Sequence, residues 1–147
     1  MSLEVKDIMV KDVITVEVDA TVREAAKLMY EHEIGCLIVT KKGNPVGIVT
    51  ERDILKRVLL ESRDPRNTKI GKIMSKPLVV GEPQTDVRDA VRLMVEGRIQ
   101  RIPIVEDGVL LGLVTFTDIV RSSAYFELII SSFCSKCPWK KTKVVSH

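Results

Sequence analysis

Gly47-Ile48-Val49-Thr50-Glu51-Arg52-Asp53 and Gly112-Leu113-Val114-Thr115-Phe116-Thr117-Asp118 are one phrase written twice. The offset that relates them also carries Met9 onto Met74, and it holds without a gap from Val5/Ile70 to Lys56/Arg121. A constant spacing over that length means that one structural unit has been duplicated in tandem. The outer residues of the phrase are retained, while Glu51-Arg52 becomes Phe116-Thr117.

Working outward from the first copy, Val13, Ile14, Thr15, Val16 and Val18 form a β-branched run that predicts a strand. Thr21 followed by Glu24 is a capping box, and Val22, Ala25, Ala26 and Met29 recur at helical spacing, predicting a helix over 22–32. Copy two agrees through Asp86, Val87, Ala90, Val91 and Met94. Residues 36–40 and 46–50 read as strands around a turn with Gly43, Asn44 and Pro45; residues 102–105 and 110–115 repeat the pair around Glu106-Asp107-Gly108. Ile54, Leu55, Val58 and Leu59 predict the buried stripe of a second helix.

The unit is strand, helix, strand, strand, helix, an α/β (α+β) fold. The expected division is repeat one at 5–60, a polar linker at 61–69, repeat two at 70–123 and an extension at 124–147. Each repeat has only about fifty residues and one apolar sheet face, so the two are expected to pack with pseudo-two-fold symmetry and share a core.

Composition excludes several classes. The 147 residues are 45% apolar, which suits a folded domain, and no apolar run approaches the roughly 18 residues that cross a bilayer. The N-terminus lacks the basic-then-apolar layout of a secretory signal, so a cytoplasmic home without membrane contact is expected. The net charge of +3 lies in the tail, where Lys136, Lys140, Lys141 and Lys143 face Glu127 alone. The repeats are balanced and carry no nucleic-acid-binding signature. The cysteines, Cys36, Cys134 and Cys137, form no disulfide framework and fit a reducing compartment.

The repeated phrase has chemistry of its own. A strand entering a helix through Gly-x-x-Thr-x-x-Asp offers a bare backbone at Gly47 or Gly112, a hydroxyl at Thr50 or Thr115, and a carboxylate one turn on at Asp53 or Asp118. Unpaired helix N–H groups and the hydroxyl suit a phosphate, and the carboxylate suits the vicinal hydroxyls of a ribose. Thr-x-x-Asp is equally an ordinary helix cap that needs no ligand. Catalysis has little support, since His32 and His147 accompany no nucleophile and carboxylate set.

Ile8-Met9, then 34–39 (IGCLIV), then 47–54 (GIVTERDI) resemble a cystathionine β-synthase (CBS) domain. Ile73-Met74, then 99–105 (IQRIPIV), then 112–119 (GLVTFTDI) resemble its partner in a tandem pair, a Bateman module. The resemblance implies a regulatory module that is not an enzyme, requires no cofactor, and binds an adenosine-containing ligand (AMP, ADP, ATP or S-adenosylmethionine) in clefts between the repeats. It assigns Thr50 and Asp53 to one cleft and Thr115 and Asp118 to the other. Strand residues 13–15, with Thr15, and 78–80, with Val80, would border the bases. Gly35, Cys36, Ile38, Arg101, Ile102 and Pro103 would supply walls, with Arg101 a phosphate partner.

The copies differ at Cys36/Arg101, Ile38/Pro103 and Arg52/Thr117. If a guanidinium must meet the phosphate, Arg52 serves one cleft and Arg101 the other, and the clefts should differ in affinity. In the tail, an apolar stretch at 124–130 points to packing on the body or to a homodimer. Cys134-x-x-Cys137 is half a zinc site, with His147 the only local addition, unless two chains pool their pairs. Three functional readings stand at this point: a nucleotide sensor acting on an unnamed regulated protein, an interaction protein of the same fold with vestigial clefts, or a zinc- or nucleic-acid-binding tail governed by the pair.

Overall fold

A computed structural model of the 147-residue chain describes residues 3–76 and 78–122. Repeat one contains β1 (Thr15–Glu17), α1 (Val22–Glu31), β2 (Cys36–Lys41), β3 (Asn44–Thr50) and α2 (Glu51–Ile54), which runs on as a π-helical turn over Leu55–Leu59. Beyond the linker come α3 (Ile70–Ile73), α4 (Val87–Gly97), β4 (Arg101–Glu106), β5 (Val109–Thr115) and α5 (Phe116–Ser122).

The capping box forms as expected. Glu24 N–H donates to Thr21 Oγ1 at 3.2 Å and Thr21 N–H to Glu24 Oε2 at 2.8 Å, starting α1 with Val22, Ala25 and Met29 buried. In α4, Asp86 Oδ1 accepts the Arg88 N–H at 2.8 Å, and Ala90 and Met94 face inward. Both hairpins turn through a left-handed pair, Lys42-Gly43 and Asp107-Gly108. That conformation matches the strand twist, and its second place falls to glycine. β2 and β3 pair antiparallel with Cys36 opposite Thr50; β4 and β5 pair with Arg101 opposite Thr115. Even the irregularities coincide, at Val39/Thr40 and Ile104/Val105.

Three expectations need correcting. In place of a strand over 78–80, repeat two has a single parallel bridge from Gly81 to Ile104. The cause is Pro103. Leu113 N–H is spent on Val10 O, so the facing pair Pro103/Leu113 is not mutually bonded, and the Pro103 backbone faces the 78–81 segment. Gly81 N–H reaches Pro103 O at 2.9 Å, but proline has no N–H to return. Repeat one has Ile38 in that place and pairs it with Thr15 in a parallel ladder.

Second, the stripe on the second helix is narrower than its spacing predicts. Val58 is buried and Ile54 half-buried, but Leu55 and Leu59 are exposed. Leu60 N–H bonds to Leu55 O and Arg63 N–H to Val58 O, five residues back, and this wider turn rotates the leucines outward.

Third, there is not one shared core but two, each built from both copies. Val16, Val22, Ala25, Met29, Leu37, Val39, Val49 and Val58 of repeat one are completed by Ile70 and Ile73. Ala90, Met94, Ile102, Ile104 and Val114 of repeat two are completed by Val5, with Ile8 and Met9 packed alongside. The copies have exchanged their entry segments. Val10 and Leu113 trade two backbone hydrogen bonds at 2.9 Å, and Ser75 and Ile48 trade theirs at 2.8 and 3.1 Å. The linker is held against this arrangement: Thr68 O accepts the Val22 N–H, and Ile70 N–H donates to Ala20 O.

Candidate functional site

β3 and β5 meet between the repeats, and each leads straight into a helix through the repeated phrase. Thr50 N–H donates to Asp53 Oδ2 at 2.9 Å, Asp53 N–H donates to Thr50 Oγ1 at 3.2 Å, and the Thr50 hydroxyl donates to Asp53 Oδ2 at 3.2 Å. Copy two repeats the reciprocal cap, with Thr115 N–H on Asp118 Oδ2 at 2.9 Å and Asp118 N–H on Thr115 Oγ1 at 3.1 Å. The first N–H of each helix is also spent, Glu51 on Gly35 O and Phe116 on Gln100 O. The N–H groups of Glu51, Asp53, Phe116 and Asp118 are thus committed within the fold, and the side chains around the caps decide what the two sites can hold.

Beyond the cap the copies part. Asp53 Oδ1 accepts the Ser75 hydroxyl at 3.0 Å and lies 3.8 Å from Arg57 Nη1. Arg57 Nη1 also donates to Ile73 O at 2.7 Å and Met74 O at 3.0 Å. At the offset of the duplication, Ser75 corresponds to Val10 and Arg57 to Ser122. Among the described residues neither provides such a link: valine has no hydroxyl, and the Ser122 hydroxyl donates to Ile119 O.

A cleft of about 450 Å³ opens over Asp53, walled by Gly35, Ile48, Thr50, Glu51 and Arg52 from one repeat and by Ser75, Arg98, Ile99, Gln100 and Arg101 from the other. Arg98, in the left-handed conformation, ends α4 and turns the chain toward the cleft; Arg101 is the first residue of β4. Arg52 and Arg101 were expected in different clefts, but both line this one, because each repeat supplies one of its walls. Three guanidiniums thus stand against the carboxylates of Glu51 and Asp53. The corresponding positions of the other copy are Thr117, Glu33 and Cys36 for the arginines, and Phe116 and Asp118 for the acids. That set has two carboxylates and no guanidinium.

The remaining candidates are scattered. Cys36 is buried opposite Thr50; burial pushes its thiol above the usual range, Arg101 draws it back, and Glu51 pushes it further. Ile102 is not a cleft wall: it alternates with Arg101 and Pro103 along β4 and points into the second core. Ile38 and Pro103 are fully buried. Gly47 and Gly112 lie beneath Met74 and Met9. Thr15 is exposed on β1, and Val80 lines a separate groove with Pro45, Val46 and Val105. His32 is exposed at the end of α1. Cys134, Cys137, His147 and the tail lysines lie outside the described residues; among those described, no cluster of His, Cys, Asp and Glu could hold a metal ion, and no helix is long and apolar enough to cross a membrane. Ser75, Arg57 and Arg98 were missed. Their signal was present as the unlike pairs Ser75/Val10, Arg57/Ser122 and Arg98/Glu33.

Comparison with known proteins gives the same architecture. An uncharacterized protein of Methanopyrus kandleri is 39% identical over 137 residues, covering 92% of this chain and 70% of that protein. The CBS domain-containing protein YhcV of Bacillus subtilis is 39% identical over 115 residues, covering 78% of this chain and 81% of its own length. A solved structure of a hexameric CBS-CP12 protein from bloom-forming cyanobacteria superposes with a TM-score of 0.77 at 33% identity, covering 92% of this chain and 89% of that one. The family model described as CBS domain matches residues 5–60 and again 70–125, so the chain belongs to the CBS domain family and is a tandem pair of its repeats.

Proposed function

We propose that the chain is a regulatory module that takes up an adenosine-containing nucleotide of the AMP, ADP or ATP class in the Thr50/Asp53 cleft and acts by occupancy rather than catalysis. The observation that carries this reading is the convergence of Arg52, Arg98 and Arg101, drawn from both repeats, on a cleft whose floor holds Thr50 and Asp53. A carboxylate is the acceptor a ribose diol needs, guanidiniums match phosphate oxygens two at a time, and Ile48 and Ile99 offer apolar surface for a base. A ligand seated there touches both repeats, so its occupancy biases their relative placement. The second set, with Glu33 and Asp118 and no arginine, disfavours the same anion, so one nucleotide per chain is expected.

Calorimetry with AMP and with ATP tests the reading. Binding should be lost in Asp53→Ala and Arg101→Ala and kept in Asp118→Ala. A competing reading, vestigial clefts in an interaction protein, draws on the reciprocal caps that satisfy Thr50 and Asp53 without a ligand. It requires no thermal stabilisation by nucleotide, whereas a ligand at a hundred times its Kd stabilises by about 2.7 kcal/mol. The exposed Leu55, Leu59 and Leu60 are proposed as a self-association surface, tested by light scattering on Leu59→Lys. Zinc on Cys134 and Cys137 is a separate proposal, read by metal analysis of the purified chain.

A further inference from the structure

Both oxygens of Asp53 are engaged before any ligand arrives. Oδ2 takes the N–H and the hydroxyl of Thr50, which fills its two lone-pair directions; Oδ1 takes the Ser75 hydroxyl at 3.0 Å. A ribose diol brings two donors to a carboxylate with one direction open. Loss of the Ser75 bond leaves both N–H bonds of the helix cap intact, and of the hydrogen bonds described at this carboxylate it is the one that comes from the other repeat.

Ser75 is not on the same repeat as Asp53. It belongs to the entry segment of repeat two that has crossed into repeat one, just after the core residues Ile70 and Ile73. Arg57 grips the same segment through Ile73 O and Met74 O while facing Asp53 Oδ1 at 3.8 Å. In the other copy the crossed segment keeps its two backbone bonds at Val10, and among the described residues no side-chain hydrogen bond joins it to Asp118. The scaffold therefore stands without the Ser75 link, which is an addition to one cleft.

We propose that Ser75 is a positioning residue that competes with the ribose diol for Asp53 Oδ1, so that filling the cleft breaks the side-chain link to the crossed segment 73–76 and loosens it, while its backbone bridge to Ile48 remains. The inference rests on the nucleotide reading of this cleft and supplies its output: occupancy is reported at the segment that joins the repeats. Ser75→Ala removes the competitor and should bind nucleotide about threefold to tenfold more tightly than the wild-type chain. Ser75→Val, which installs the residue of the other copy, should do the same.

The experiment is calorimetry with AMP and ATP on the wild-type chain and both variants, with hydrogen exchange of the 70–76 peptide measured with and without nucleotide. Tighter binding in both variants, with faster exchange of that peptide on binding in the wild type and no further change in the variants, is the expected result. Equal or weaker binding in the variants overturns the competition, and a merely structural role for Ser75 gives weaker binding together with a lower melting temperature. Absence of wild-type binding to either nucleotide overturns the nucleotide reading and the latch with it, a result distinct from a bound wild type with indifferent variants.

Discussion

Met74 occupies the space that a side chain at position 47 would need: a Cβ built on Gly47 lies 2.6 Å from Met74 Sδ and 3.0 Å from Ser75 O. Gly112 and Met9 repeat the relationship, again at 2.6 Å. The glycine of the repeated phrase is thus required by the exchange of entry segments, which brings a backbone and a thioether down onto the strand.

Gly47→Ala and Gly112→Ala should each destabilise the chain by about 1–3 kcal/mol, because the flexible methionine can yield but the carbonyls of Ser75 and Val10 cannot without breaking their bridges. Urea unfolding of the two variants measures this, and similar losses are expected, since both sites have the same geometry.

The threonines should separate where the glycines do not. Thr50→Ala and Thr115→Ala each remove a cap acceptor, at a cost of about 1 kcal/mol in thermal or urea unfolding. Only Thr50→Ala should also weaken AMP binding in calorimetry, because only its cap faces the arginine-lined cleft.

The order of elements was legible because its signals are local: the Thr21/Glu24 capping box, the β-branched runs and the Gly-bearing turns each act within a few residues. Duplication doubled every such signal. What was not legible is non-local. Val5, Ile70 and Ile73 are apolar whichever core receives them, so nothing in the chain announces the exchange. Ile102 sits in the apolar run 102–105, where alternation has no visible phase; only pairing with β5 fixes which residues face the core. The π-helical turn that exposes Leu55 and Leu59 likewise leaves the helical spacing of the sequence unchanged. The arginine cleft could have been found by asking where the copies differ, but placing Arg52 and Arg101 together needed the docking of one repeat on the other.

Pro103 offers a direct check on why repeat two lacks its outer strand. Pro103→Ile restores an N–H facing the 78–81 segment and should extend the single Gly81 bridge into a parallel ladder like that of Thr15 and Ile38. The new amide at 103 should be protected from hydrogen exchange, and the neighbouring amides should exchange more slowly than in the wild-type chain. A freely exchanging amide at 103 would show that the segment is held apart by something other than the proline.

Cys36 ties alkaline stability to the same cleft. Its thiol is pushed above the ordinary range by burial, and the charged groups facing it are Arg101, which opposes the shift, and Glu51, which adds to it. A raised folded value means that the native state holds the proton more tightly than the unfolded chain, so the stabilisation is fully present below the unfolded thiol value and is lost as pH rises through the folded one. Melting temperature should therefore fall between pH 8 and pH 10, near the ordinary thiol value of about 8.5 and above it. Cys36→Ala should flatten that part of the profile while leaving the acid side unchanged. In Arg101→Ala the thiol loses the cation that draws its value down, so the alkaline loss should begin at the same pH but run on further and end larger, and a thiol-reactive probe should label Cys36 more slowly than in the wild-type chain at the same pH.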